Sequence, residues 1–231
     1  MNRRILLLAS LGCTLVPQRA HTPEPNSPAP YLVELPVSRP LNDTFVIILS
    51  GDGGWQDLDR TIGNILQARG IPVLGWDCLE YFWRHRSVED VAQDVTAAIE
   101  AYAARWRTPR VALVGYSFGA DVLPSAYNRL PPSTRARVRL ISCLAMSRDA
   151  DYEITASGFV GLGGSDEIAI EPELSSVNQD IFQCFYGRDE ADETGCTLLD
   201  AKRAQIIETA GGHHFDENYE ALAERIMERI R

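Results

Sequence analysis

Val111-Ala112-Leu113-Val114-Gly115-Tyr116-Ser117-Phe118-Gly119-Ala120-Asp121 is the stretch on which the fold turns. Four successive apolar residues mark a strand buried on both faces. A helical pattern begins at once and runs to about Leu130, where Pro131-Pro132 forms a hard stop. Between strand and helix lies G-x-S-x-G, the sharp turn that lifts a serine side chain off the end of a strand. The glycines are needed because strand and helix crowd that turn and leave no room for a Cβ. A capping serine in an ordinary strand-to-helix turn is the competing reading; the placement directly between strand and helix favours a nucleophile.

Outward from this turn the chain alternates strand and helix signals. Phe45 to Leu49 is a buried strand ending in the Gly-rich loop Ser50-Gly51-Asp52-Gly53-Gly54-Trp55. Asp57 to Gly70 reads as a helix closed by its glycine, and Ile71 to Trp76 as a strand whose Pro72 fits only near its start or at an edge. Ser87 caps a helix with Asp90 three residues on, and Val88, Val91, Val95, Ile99 and Tyr102 form its apolar face. Val138 to Ala145, Ile181 to Tyr186 and Gln205 to Thr209 complete the strands. A last helix follows Phe215, with Tyr219, Leu222, Ile226 and Ile230 on one face. Met146 to Asp180 has weak periodicity and reads as a loop or partial lid. The alternation predicts an α/β fold with a mostly parallel, doubly wound sheet flanked by helices.

The 231 residues are 45% apolar and 23% charged, within the ordinary globular range, which excludes disorder, collagen and coiled coil. The net charge of −10 removes the cationic surface that nucleic-acid binding requires. Arg3, Arg4 and the apolar run Ile5 to Val16 have the form of a signal peptide over residues 1–20, too short to span a bilayer. Ser10-Leu11-Gly12-Cys13 loosely resembles a lipoprotein box, so Cys13 is a candidate for lipidation. Residues 21–30 carry Pro23, Pro25, Pro28 and Pro30 and read as an extended linker, leaving a single domain over 31–231. An exported chain sits in an oxidising compartment, where Cys184 and Cys196 form the best candidate disulfide. Cys78 and Cys143 are either a second pair or free buried thiols. No CxxC or zinc spacing is present, and neither a metal nor an organic cofactor is implied.

A serine nucleophile needs a base. The histidines beyond Ser117 are His213 and His214, in the loop Gly211-Gly212-His213-His214-Phe215 directly after the last strand. His213 is preferred and His214 is the fallback. The acid that orients the base is expected just past the penultimate strand, in Gly187-Arg188-Asp189-Glu190-Ala191-Asp192. Glu190 and Asp192 rank nearly equal, with Asp189 behind. Oxyanion donors are expected from the backbone N–H of Phe118 and of Asp52 or Gly53. Those glycines could instead bind phosphate, but the loop has neither a GKS/T ending nor G-x-G-x-x-G spacing. Asp121, one helical turn after Ser117, and Asp52 are candidates to receive a substrate ammonium; a satisfied helix residue and a turn former are the plain alternatives. Trp55, Tyr81, Phe82 and Trp83 could line an acyl or lipid rim, although core packing accounts for aromatic residues equally well.

Taken together, Leu49 to Trp55, Gly75-Trp76-Asp77, Tyr81-Phe82-Trp83, Gly115 to Pro124, Tyr127 to Pro131 and Gly211 to Asp216 resemble the AcvB/VirJ family of bacterial virulence proteins, in its short VirJ-like form. The resemblance implies an exported α/β-hydrolase fold. For AcvB-like members it also implies hydrolysis of the aminoacyl ester of lysyl-phosphatidylglycerol, an aminoacylated phospholipid. VirJ-like members are associated with type IV secretion, so contact with a membrane surface or with secretion machinery is a further expectation. A non-catalytic binding protein on a hydrolase scaffold and a general periplasmic carboxylesterase are the alternative readings.

Overall fold

A computed structural model describes residues 28–155 and 168–231. The expected leader, Cys13 and most of the linker lie outside the described residues, as does part of the stretch between Met146 and Asp180. In chain order the elements are β1 (Leu32–Leu35), β2 (Thr44–Leu49), α1 (Asp57–Ala68), β3 (Val73–Trp76), α2 (Cys78–Phe82), α3 (Val88–Trp106), β4 (Arg110–Tyr116), α4 (Phe118–Arg129), α5 (Pro132–Arg135), β5 (Val138–Leu144), β6 (Asp149–Ala150), β7 (Ile168–Ala169), α6 (Glu171–Ser176), β8 (Phe182–Gly187), β9 (Gln205–Thr209) and α7 (Tyr219–Ile230).

The main sheet runs β1-β3-β2-β4-β5-β8-β9. All its neighbours are parallel except β1, which pairs antiparallel with β3. Because side chains alternate across a strand, β2 divides its residues between two cores. Val46 and Ile48 pack with α1 and α7, and Phe45, Ile47 and Leu49 pack on the opposite face among residues of α3 and α4. Both faces are therefore covered, and the strands read as continuous apolar runs for that reason. From β2 the chain moves one way to β3 and then crosses back to β4 on the other side, so strand order reverses between β2 and β4. The carboxyl ends of those two strands diverge there, opening the crevice where doubly wound sheets hold their ligands.

Local chemistry explains most boundaries. Ser87 and Asp90 form a complete capping box at the start of α3. Gly70, at φ +82°, turns the chain after α1 in a conformation that disfavours a side chain. The expected stop at Pro131-Pro132 holds, since α4 ends at Arg129; Pro132 then opens the separate one-turn helix α5, where its missing N–H has no intrahelical role. The stretch from Met146 to Asp180 is not simply loop, since it contributes the small β6–β7 ladder and α6. Strand β1 and the short helix α2 carried no readable periodicity.

Cys184 in β8 and Cys196 form a disulfide across twelve positions, while Cys78 and Cys143 are free and buried. Replacing both Cys184 and Cys196 by serine should lower unfolding free energy by roughly 3 kcal/mol, the cost expected for opening a loop of this length. Chemical denaturation of the variant and the parent checks this.

Candidate active site

Ser117 stands at the junction of β4 and α4 with φ +51° and ψ −120°, a conformation that costs an L-residue energy and persists only where its surroundings enforce it. The enforcement is visible in the flanking glycines. A Cβ on Gly115 would press into the backbone of Gly119 and Ala120, and one on Gly119 into the carbonyl oxygens of Leu49 and Ser50. Gly119 N–H instead donates to Ser50 O at 3.1 Å, which ties the serine turn to the loop after β2. That loop is itself braced: buried Ser50 Oγ donates to Gly51 O and accepts from Cys78 N–H, and Asp77 accepts from Trp55 N–H.

His213 Nε2 lies 2.8 Å from Ser117 Oγ, and His213 Nδ1 lies 3.1 and 3.2 Å from the two carboxylate oxygens of Glu190. An ionised carboxylate accepts only, so Nδ1 carries the proton and Nε2 is left to accept the hydroxyl of Ser117. The acid loop is joined to the histidine loop by Asp189 N–H donating to Gly211 O. A side chain at Gly187 would collide with the carbonyls of Gly211 and Gly212, so the two loops touch only because that position is bare. Immediately after the histidines, Phe215, Asp216 and Glu217 all adopt positive φ, a left-handed turn of non-glycine residues that reverses the chain into α7.

The structure separates the candidates that sequence left open. Asp192, ranked beside Glu190, is solvent-exposed beyond the turn and makes no hydrogen bond to His213; the turn Arg188–Glu190 ends with Glu190 facing the imidazole. Asp189 is also exposed and uses its backbone rather than its carboxylate. His214, the fallback base, has its Nδ1 3.0 Å from the Tyr116 hydroxyl. Trp55 is not at the site: its ring packs on Gly63 and Gly75, where a Cβ on Gly75 would strike it, so it serves the core between α1 and β3. Tyr81 and Phe82 are core residues, and Trp83 is exposed outside the cleft.

Around Ser117 the crevice has two lobes. One, of about 430 Å³, is lined by the loop Gly51–Gly54, Asp59, Tyr116, His213, His214 and Tyr219 among others. The other, of about 310 Å³, is lined by Asp52, Phe118, Asp121, Ser147, Asp149 and Asp151. Ser117 and Asp52 belong to both. Among the described residues, the N–H groups of Asp52, Gly53 and Phe118 donate to no protein acceptor; Phe118 is the first residue of α4 and has no partner within it. These amides are available to an oxyanion. No Lys or Arg among the described residues lines either lobe.

Two carboxyls here hold their protons unusually long. Burial raises Asp121 to about 8, with the nearby charges of Asp149 and Asp151 adding to the rise and the Ser147 N–H opposing it. Burial likewise raises Asp59 to about 8, against the backbone N–H groups of Gln56, Asp59 and Gly51 that face it. Asp52 and Asp121, both named from the sequence, do line the second lobe, whereas Asp59 in α1, Tyr116, Asp149 and Asp151 escaped the sequence reading, because nothing in their local pattern distinguishes them from helix, strand or loop polar residues.

The mostly parallel sheet flanked by helices is the α/β-hydrolase fold. Similar folds occur in a lipase-esterase related protein from Clostridium acetobutylicum (TM-score 0.59, 13% identity, 86% of this chain and 98% of that one). The same holds for Est1E from Butyrivibrio proteoclasticus (TM-score 0.59, 14% identity, 87% and 93%). The type II thioesterase BorB from the borrelidin biosynthetic cluster is also similar (TM-score 0.60, 15% identity, 87% and 98%). The chain belongs to the bacterial virulence protein (VirJ) family, which matches residues 43–231. The sequence matches no curated protein at a significant level.

The raised carboxyls set a pH trend. A group that keeps its proton to about pH 8 when folded, but loses it near 4 when unfolded, favours the native state most below 4 and progressively less as pH rises to 8. The acids whose values are lowered by partners, such as Glu173 and Asp180, act in the opposite sense but only at acid pH. Melting temperature should therefore decline between about pH 5 and 8 and level off above, and Asp59→Asn should make that decline shallower; parallel slopes in thermal melts would contradict the assignment.

Proposed function

We propose that this protein is an exported serine hydrolase that cleaves the aminoacyl ester of an aminoacylated phospholipid, with lysyl-phosphatidylglycerol as its substrate. The observation that carries the hydrolytic reading is the unbroken chain Glu190–His213–Ser117, with Ser117 Oγ 2.8 Å from the imidazole. In this reading His213 takes the Ser117 proton as Oγ bonds to the ester carbonyl carbon. The amides of Phe118 and of Asp52 or Gly53 hold the tetrahedral oxyanion. Collapse breaks the bond to the alcohol oxygen, which leaves with the proton from His213. Water, deprotonated by the same imidazole, then releases the acyl group as free amino acid and restores Ser117.

The substrate class rests on family membership and on charge. An ester bearing an ammonium suits a crevice lined by Asp52, Asp121, Asp149 and Asp151 with no lysine or arginine among the described residues. A cation placed beside Asp121 favours its ionised form, so binding and proton release are coupled. Export is supported by the leader-like pattern of the first twenty residues and by the Cys184–Cys196 bond, which persists in oxidising compartments.

A fluorophosphonate probe should label the parent protein and not Ser117→Ala, which should lose ester turnover by at least about a thousandfold. Glu190→Gln should lose roughly a hundredfold or more, while Asp192→Asn stays within about twofold, as a solvated charge should. Absence of labelling would favour the binding-protein alternative. Asp121→Asn should reduce kcat/KM for a lysyl ester more than for an uncharged short ester, and equal losses would refute the ammonium role. Thin-layer chromatography of membrane lipids should show lysyl-phosphatidylglycerol accumulating when the gene is absent.

A further inference from the structure

The hydrogen bond between Ser117 Oγ and His213 Nε2 cannot be what holds the base in place, because the reaction breaks it. Once Oγ is bonded to the acyl carbon it has no proton to share, yet the imidazole must stay aligned to activate the water that follows. The loop that carries the imidazole is poorly suited to hold itself. Gly211, Phe215, Asp216 and Glu217 all have positive φ, so three residues with side chains sit in the left-handed region directly after the twin histidines. Asp189 N–H on Gly211 O ties the start of the loop to the acid turn.

A second tether comes from the nucleophile strand. Among the described residues, the hydrogen bonds that join the end of β4 to this loop involve Ser117 Oγ and the Tyr116 hydroxyl. Tyr116 Oη lies 3.0 Å from His214 Nδ1 and 3.4 Å from the backbone oxygen of His213. The Tyr116 ring is buried, with its centroid 5.4 Å from that of His213, and Gly51 packs so closely on it that a Cβ there would stand 3.3 Å away. Burial pushes ionisation of the phenol upward, so the hydroxyl keeps its proton at neutral pH. The pair can bond in either sense: the hydroxyl donates to a bare Nδ1, or Nδ1–H donates to Oη and the hydroxyl proton turns to His213 O. Both arrangements fasten the histidine loop to the strand that ends in the nucleophile. His214 is exposed, so water could satisfy its nitrogen and burial does not demand this contact.

We propose that Tyr116 and His214 are positioning residues whose hydrogen bond clamps the histidine loop to β4 and keeps His213 aligned through the acyl-enzyme stage, when its bond to Ser117 is lost. The inference rests on the hydrolytic reading above and adds a division of labour within the twin histidines. In deacylation a water oxygen bonds to the acyl carbon as its proton passes to His213 Nε2. The bond from Ser117 Oγ to that carbon then breaks, and Oγ takes the proton back. Glu190 holds Nδ1 throughout and so fixes the ring, whereas Tyr116 fixes the backbone on which the ring stands. In the free enzyme the contact between Ser117 and His213 substitutes for a missing clamp; in the acyl-enzyme nothing does. Removing the clamp therefore slows the second half-reaction more than the first.

The test follows hydrolysis of a short uncharged p-nitrophenyl ester. There kcat/KM reports acylation, and kcat divided by the fraction of Ser117 found acylated at saturating ester, read by mass spectrometry of quenched samples, gives the deacylation rate. Tyr116→Phe keeps the ring and removes only the hydroxyl; it should slow deacylation by about tenfold while acylation stays within about threefold of the parent. His214→Leu should do the same. His214→Asn, whose amide can meet Tyr116 Oη where Nδ1 does, should recover most of the parent rate. The double variant Tyr116→Phe/His214→Leu should cost no more than either change alone, as expected for two ends of one bond. Equal slowing of both steps, the mark of general disturbance, overturns the inference, as does deacylation unchanged in either variant. If Tyr116→Phe does not fold, His214→Leu, altered at an exposed position, decides alone. Absence of Ser117-dependent nitrophenol release from the parent removes the hydrolytic reading, whereas release with deacylation indifferent to both changes removes only the clamp.

Discussion

The contact between Gly119 N–H and Ser50 O fixes the geometry of the site, because it carries the pairing of β2 with β4 past the strand ends into the two loops. One segment ends β4 and presents Ser117; the other ends β2 and presents the amides of Asp52 and Gly53. Each alone is an ordinary loop at the end of a parallel strand. Brought within hydrogen-bonding distance, they set the Ser117 hydroxyl beside the unbonded amides of Asp52 and Gly53 at a fixed separation. The approach is possible only because position 119 has no side chain, and the positive φ at Ser117 is sustained by the same crowding. Strand order places this junction at the reversal between β2 and β4, so the topology of the sheet and the chemistry of the crevice share one cause.

Charge gives the crevice its second character. Acidic side chains gather in both lobes, and burial keeps Asp59 and Asp121 from ionising at the pH where an isolated carboxyl would. A carboxyl such as Asp121 can adjust its charge to what it meets, which differs from a fixed anionic surface. Where a cation enters, the proton leaves. The arrangement lowers stability at higher pH, the familiar tension between a tightly folded chain and a site held ready for a ligand.

The fold was legible because its signals are local. Buried parallel strands make short apolar runs, and the capping box at Ser87 and the glycine at 70 announce helix ends within a few residues. Ser117 and the pairing of Cys184 with Cys196 were readable in the same way. What sequence could not separate was Glu190 from Asp192, since both lie in one acidic turn and only the direction of a 3₁₀ turn decides which carboxylate meets His213. Trp55 sits in the right loop yet packs against Gly75, a partner remote in sequence. Asp59 looks like any early helix acid until α1 is laid beneath the Gly-rich loop. β1 stayed hidden because an edge strand of four half-buried residues has neither a continuous apolar run nor strong alternation.

The cross-link between Cys184 and Cys196 encloses Glu190, which stands three residues beyond the end of β8. On the far side of that turn Gly195 N–H is anchored to Met146 O, so the bridged segment is held from both ends. Opening the bridge would loosen the far end of the acid turn, while Asp189 N–H on Gly211 O still ties its near end to the histidine loop. Both sulfurs are fully buried, so the bridge opens only where the fold around it gives way, and it braces the turn that faces His213 as well as the chain.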